Sequence, residues 1–318
     1  MRIHAVCALA LAGAVACILP AASAEIPAWA FPVSPPGPPA PPENGVQIKL
    51  PGSTSAFTLT QILDRFKVVD WYPGEHPKMP PVVVNGRNPM RACAYCHMPS
   101  GAGRPENAAL TGLTPNYFKQ QVHNFRDGHR QGSEANRNPQ NLMLEISKLV
   151  TDAEIDEAAA YYAKIKPVSY VRVVESATAP KTFVTGSILA RLPEGGTEPL
   201  GNRIVEVPET VERFEHRDSK TPFTAYVPIG SIKRGADMAA TGANGKTIPC
   251  TICHGPDLKG LGDVPPIAGR SPSFIVRQLF DMQSGKRGGT AALMQPVVAK
   301  LDVADMVALA AYAASLQP

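Results

Sequence analysis

Apolar residues recur at helical spacing in separate stretches of the chain, and most of these stretches carry their own start or stop signal. Leu59, Ile62, Leu63 and Phe66 share one face and predict a short helix over 58–66. Phe118, Val122 and Phe125 form a second stripe, opened by Thr114-Pro115 and closed at Gly128. Ile275, Leu279 and Met282 form a third, opened by Ser271-Pro272 and closed at Gly285. A hydroxyl residue before Pro at the start and Gly at the end is the usual helix punctuation. Ile155, Ala158, Tyr162 and Ile165 form a fourth stripe, with Thr151 and Glu154 as a capping box and Pro167 as the stop. Met306, Leu309, Ala313 and Leu316 form a fifth, capped by Asp302. Between the fourth and third stripes the pattern changes. Tyr170–Val174 and Arg203–Val207 are β-branched and partly alternating, which predicts short strands holding the flanking parts together. A docking surface for a partner is the other reading of that segment. Pro35 to Pro42 holds six prolines and predicts an extended arm that builds no core.

The helical stripes repeat. From Cys93 to Tyr117 is 24 positions, and from Cys250 to Phe274 is also 24. Gln121, Gly128 and Arg130 correspond to Gln278, Gly285 and Arg287, and Tyr161 to Tyr312. The chain thus holds two copies of one unit.

Composition changes this picture only at the margins. With 318 residues and 44% hydrophobic content there is room for two modest cores. A net charge of +4 makes no case for nucleic acid as a partner. The N-terminus does matter. Arg2, an apolar run from Ala5 to Leu19 and Ala22-Ser23-Ala24 read as a secretory signal peptide cut near Ala24. That run is too short to span a bilayer, and no transmembrane segment is expected in the mature chain. Cleavage removes Cys7 and Cys17 and leaves four of the six cysteines.

Those four form Cys93-Ala94-Tyr95-Cys96-His97 and Cys250-Thr251-Ile252-Cys253-His254. C-x-x-C-H is the attachment signature of c-type haem: two thiols become thioethers to the porphyrin edge and the His ligates iron. A zinc site would need a second Cys or His pair close to each copy, and the copies lie more than 150 residues apart. Two covalently attached haem c groups are expected. Trp71, shortly before the first motif, reads as core packing beside the porphyrin.

A globule with an early helix, C-x-x-C-H, a middle helix and a final helix resembles the class I cytochrome c fold. Its duplication resembles the periplasmic dihaem cytochromes c. The fold class implied is mostly α, two cytochrome c-like helical domains joined by an extended segment with short β-strands. The expected division is signal peptide 1–24, Pro-rich arm 25–57, first domain 58–167, connecting segment 168–229 and second domain 230–318. The resemblance further implies a Met as second iron ligand, on a loop just before the last helix. Met294 stands there in Leu293-Met294-Gln295-Pro296. Met143 is the first-copy candidate, on a stretch six residues longer and without the following Pro; packing is its other reading. Met282 and Met306 fall on core stripes, His129 and His123 read as surface residues, and Met98 directly follows His97. The family's carbonyl acceptor for the proximal His corresponds to Pro265-Pro266; Ala108-Ala109 replaces it in copy one.

These residues point to a periplasmic electron carrier between a dehydrogenase and a downstream oxidase or reductase. Two alternatives stay open: a cytochrome subunit of a dehydrogenase complex, with 25–79 and 168–229 as interface, and a dihaem enzyme (peroxidase or thiosulfate-oxidising type) whose first haem is open.

Overall fold

A computed structural model describes residues 25–36 and 42–318. The signal-peptide reading and most of the proline run lie outside them. Helix takes 36% of the described residues, with short strands.

The first part runs β1 (Ile48–Lys49), β2 (Ala56–Phe57), α1 (Leu59–Leu63), α2 (Pro81–Val84), α3 (Cys93–His97), α4 (Pro115–Arg126), α5 (Asn138–Leu149) and α6 (Asp152–Tyr162). A β-rich stretch follows: β3 (Val171–Glu175), β4 (Thr178–Pro180), β5 (Thr182–Thr185), β6 (Ile188–Arg191), β7 (Thr197–Pro199), β8 (Val205–Pro208), α7 (Val211–Glu215) and β9 (Phe223–Val227). The last part is α8 (Ser231–Thr241), α9 (Cys250–His254), α10 (Pro272–Gln283), a 3-10 turn (Gly289–Met294), α11 (Gln295–Val298) and α12 (Val303–Ser315).

The caps form as the local sequence dictates. Thr114 Oγ1 accepts from Tyr117 N at 3.2 Å, and Ser271 Oγ from Phe274 N at 3.2 Å. Thr151 and Asp302 each close a capping box, with Glu154 and Asp305. Phe118 and Phe125 on α4, and Ile275 and Met282 on α10, are buried. α1 stops at Leu63, short of Phe66, because Asp64 Oδ1 turns to accept from Phe66 N and Lys67 N. α6 ends at Tyr162 in a 3-10 turn, where Lys164 N and Ile165 N bond three residues back.

Two main cores result. One collects Val82, Val83, Leu110, Phe118, Ile155 and Tyr162 from α2, α4, α6 and the loop between α3 and α4. The other is built on α8, α10 and α12, with Met238, Val276, Phe280 and Met306. The three-stranded sheet β3-β9-β8, parallel then antiparallel, packs β3 against α12 and sends Ala225 and Val227 into that second core.

Three expectations change here. The 25–57 arm does contribute to a core: Ala30 and Phe31 are buried in the second core, Phe31 lies edge-on to Phe280 with centroids 5.7 Å apart, and Ser34 Oγ accepts from Ser187 N. Trp71 is not beside the cysteine motif. It packs with Leu50, Ile62 and Tyr72, and its Nε1 donates to His216 O at 3.0 Å, tying the first part to the β-rich stretch. The first-half early helix over 58–66 belongs to that same side cluster. The single turn α2, through Val82 and Val83, packs on α6 instead.

Candidate functional site

The two C-x-x-C-H sequences form short helices α3 and α9, and each is followed by a residue with positive φ. This is Gly255 (φ 80) in the second half and Met98 (φ 68) in the first. Met98 is fully buried, which offsets a backbone position that favours glycine. The turn swings the chain back so that a carbonyl eleven residues on meets each imidazole. His97 Nδ1 donates to Ala108 O at 2.7 Å, and His254 Nδ1 to Pro265 O at 2.8 Å. A carbonyl only accepts, so the proton sits on Nδ1 and the Nε2 lone pair is left free. Burial lowers the pKa of both rings, so each is neutral at pH 7. The missing first-half proline does not remove the bond.

A cavity of about 840 Å3 receives Cys93, Cys96, His97 and Met143, and also Cys250, Cys253, His254 and Met294. Apolar side chains, among them Leu110, Phe118, Ile155, Ile275, Leu279 and Leu309, dominate the remaining wall. The two methionines sit differently. Met294 ends the 3-10 turn just before α11. Met143 lies inside α5 and not on a loop, because the longer first-half stretch folds into twelve helical residues with Pro139 in the first turn. None of the four motif cysteines is in a disulfide. Among the described residues no three His, Cys, Asp or Glu side chains converge as a protein-held metal ion requires.

Of the rival ligands, Met306 is buried in the second core, and Met282 is buried in that core and also lines the cavity. His123 Nε2 meets Asp152 at 3.1 Å, and His129 is exposed.

The internal repeat aligns Gln121 with Gln278 and Arg130 with Arg287, but the repeat alone gives them no role. They lie where the two halves meet. Gln121 Oε1 accepts from Arg130 Nη1 (2.8 Å) and Arg287 Nη2 (3.1 Å); Gln278 Oε1 accepts from Arg287 Nη1 (2.8 Å) and Arg130 Nη2 (3.0 Å). The backbone repeats the pattern: Gln131 N donates to Lys286 O and Gly288 N to His129 O, both at 2.7 Å. Burial, with Arg287 alongside, pushes Arg130 down to about 9, still charged at neutral pH. Further cations line the same wall. Burial lowers Arg270 and Arg277 to about 10 and lowers Arg137 strongly.

The two motifs differ in exposure. Arg217, just after α7, lies 3.7 Å from the centroid of the Tyr95 ring and covers the first. At the second, Ile252 is 64% exposed and Leu293, beside Met294, 85%.

The chain is 38% identical over 207 residues to the thiosulfate dehydrogenase electron acceptor of Stutzerimonas stutzeri, covering 64% of this chain and 68% of that one. It is 23% identical over 235 residues to cytochrome c4 of Pseudomonas aeruginosa, covering 71% of this chain and 85% of the relative. The chain belongs to the dihaem class I cytochromes c. No protein-family model matches it. A solved structure of thiosulfate dehydrogenase from Marichromatium purpuratum aligns with the cytochrome at 26% identity and a TM-score of 0.48. That match covers 72% of this chain but only 37% of the other.

The cofactor of such a cytochrome is covalently bound haem c, and the residues fit it. Thiols, imidazoles with free Nε2 and thioethers line one apolar cavity. Buried donors, Arg137 Nε, Gln140 Nε2 and Arg287 Nε, have no protein acceptor, as a wall facing an acidic porphyrin edge would leave them. The internal alignment of Gln121/Arg130 with Gln278/Arg287 is the sequence signal for the contact between halves; nothing in the sequence marks Arg137.

Proposed function

We propose that the chain carries two haem c groups and is a periplasmic electron carrier, exported on the 1–24 signal peptide. Cys93, Cys96 and His97 with Met143 would hold the first, and Cys250, Cys253 and His254 with Met294 the second. The observation that carries this reading is the duplicated set in one cavity: a thiol pair, an imidazole with Nδ1 tied to a carbonyl, and a methionine, in each half.

Haem c supplies a one-electron ferric/ferrous couple. The protein's own work is to set and protect it. The carbonyl bonds fix imidazole orientation and raise ligand basicity. Met143 and Met294, as neutral thioether ligands, would favour the reduced state. The packed wall excludes water and limits rearrangement as charge changes. The division of the chain into domains 58–167 and 230–318, linked by 168–229, belongs to the same proposal. So do the partners: a dehydrogenase as donor and an oxidase or reductase as acceptor. Likeness to a thiosulfate dehydrogenase electron acceptor supports a thiosulfate-oxidising dehydrogenase as that donor. Among the described residues no helix is long and apolar enough to cross a membrane.

The test is intact mass for haem number, with near-infrared spectroscopy of the ferric protein for methionine–iron bands. Two haems and two bands are expected, with Met143→Ala and Met294→Ala each losing one. The reduced wild type should not bind carbon monoxide, and thiosulfate with the matching dehydrogenase should reduce it. A single band unaffected by Met143→Ala, with carbon monoxide bound at the first haem, would replace the carrier by an enzyme with an open centre.

A further inference from the structure

Arg137 is the residue before α5, and it is 4% exposed. Its Nη2 donates to Ser187 O, in the β5–β6 turn, at 3.3 Å, while its Nε has no partner. Gln140, on the first turn of α5, lines the same cavity, and its Nε2 has no partner either. No acid on this part of the wall bonds Arg137: Glu106 Oε1 bonds Arg104 Nε at 3.0 Å while its Oε2 has no partner, and Asp281 Oδ1 accepts from Ser133 N and Ser133 Oγ. Arg277 is spent on Ala30 O and Pro105 O. Arg137 is therefore a buried cation whose only bonded partner is one carbonyl. Burying a charge without its counter-charge is strongly unfavourable. A carboxylate brought into the cavity would supply the acceptor that Arg137 Nε and Gln140 Nε2 lack.

The position on α5 says which part of that ligand it meets. Arg137, Gln140 and Met143 are spaced three residues apart and all line the cavity. At 1.5 Å per residue, Gln140 lies roughly 4.5 Å and Arg137 roughly 9 Å along the axis from Met143. With Met143 as iron ligand, Arg137 and Gln140 would be donors farther along the same stretch, suited to the porphyrin's carboxylates. The second half has no such pair: only six residues separate Arg287 from Met294, against twelve between Arg130 and Met143.

We infer that Arg137 and Gln140 form a carboxylate-binding pair for a propionate of the first haem, and that Arg137 holds that centre's reduction potential above its value without the cation. The inference rests on the two-haem reading with Met143 as ligand. Its physical basis is simple. Reduction adds one negative charge, and a nearby buried cation stabilises the reduced state. A guanidinium fork suits a carboxylate better than a point charge does.

The experiment is spectroelectrochemistry of the full-length dihaem protein, with signals assigned through Met143→Ala and Met294→Ala. Arg137→Gln is expected to lower the first centre's potential. At the potential that half-reduces the wild-type centre, its ferrous-to-ferric ratio should fall about tenfold, as loss of one charge-assisted bond implies. The second centre should move less than about twofold, since the attraction between charges weakens with distance. Arg137→Lys should recover part of the change. Gln140→Leu should shift the same centre the same way by less, and it decides the matter if Arg137→Gln does not accumulate. A dihaem wild type whose first-centre potential ignores these variants, or equal shifts at both centres, overturns this assignment alone. A wild type with one haem, or without the Met143 band, overturns the functional reading and this assignment with it.

Discussion

Glu154 serves two elements at once. Its carboxylate accepts from Thr151 N at 2.8 Å, closing the α6 capping box, and pairs with Arg87 on the far side of the motif. The Arg87 bonds first, and the Thr151 bonds after them, hold its pKa down at about 2. A folded-state pKa below the unfolded value of 4.5 means stability that is fully present above pH 4.5 and lost as pH falls through about 2. The pair is part-exposed, so its contribution is modest. Glu154→Gln keeps a capping oxygen but removes the charge. It should cost about 0.5–1 kcal/mol at pH 7 and flatten the acid limb. Urea unfolding at pH 7, 4 and 2.5 checks this, and parallel acid limbs in both proteins would sink it. His76 carries the opposite sign. Asp70, 3.2 Å from its Nε2, is the main cause of a pKa raised above 6.5. Its contribution is therefore fully present below pH 6.5 and fades as pH rises through the raised value. Asp70→Asn should lower the His76 titration, read by proton NMR, and an unchanged titration would sink the assignment to Asp70.

At the scale of elements, the contact that organises the second half is the crossing of α8 on α12. A Cβ at Gly235 would sit 2.0 Å from Ala308 O and 2.7 Å from Tyr312 Cβ. Alanine normally strengthens a helix interior by up to about 1 kcal/mol over glycine. Here Gly235→Ala should reverse that sign and cost about 1–3 kcal/mol, because the two helices must part. Thermal unfolding of the holoprotein reads it, and a raised midpoint would show the crossing to be looser than drawn. This contact also marks the limit of what the chain's pattern reveals. α4, α6, α10 and α12 were readable because Thr114, Thr151, Ser271 and Asp302 mark their starts in the sequence. The carbonyl bonds to His97 and His254 were implied by the family resemblance, through Ala108-Ala109 and Pro265-Pro266. The neighbours of α6 were not. α2 is one turn long, and its place depends on Val82 and Val83 meeting a surface formed elsewhere. The places of Phe31 and Trp71 were hidden for the same reason: their partners, Phe280 and His216, are distant in sequence and fixed only by the tertiary fold. Arg137 escaped notice because a lone arginine in a loop-like stretch gives no sign of burial.

Across the whole molecule, the two halves meet through a closed cycle in which two buried guanidinium groups share two amide oxygens. Arg130 and Arg287 repel each other, and each lies 9% or less exposed. What makes the arrangement tolerable is that each cation donates to both Gln121 and Gln278, while Arg287 also reaches Tyr117 OH at 2.9 Å. Removing one glutamine leaves one shared acceptor for two cations. Gln121→Leu and Gln278→Leu should therefore each cost about 2–3 kcal/mol, the scale of a hydrogen bond to a buried charge. The double variant tests whether the four residues act as one unit. After the first substitution both guanidinium groups have already lost an acceptor, and the halves are free to part and admit water to them. The second substitution then removes less than it would alone, so the double variant should fall short of the sum by about 1 kcal/mol or more. Urea unfolding of the holoprotein, followed by far-UV circular dichroism for all four proteins, closes the cycle. Additivity within about 0.3 kcal/mol would mean that the two glutamines act independently.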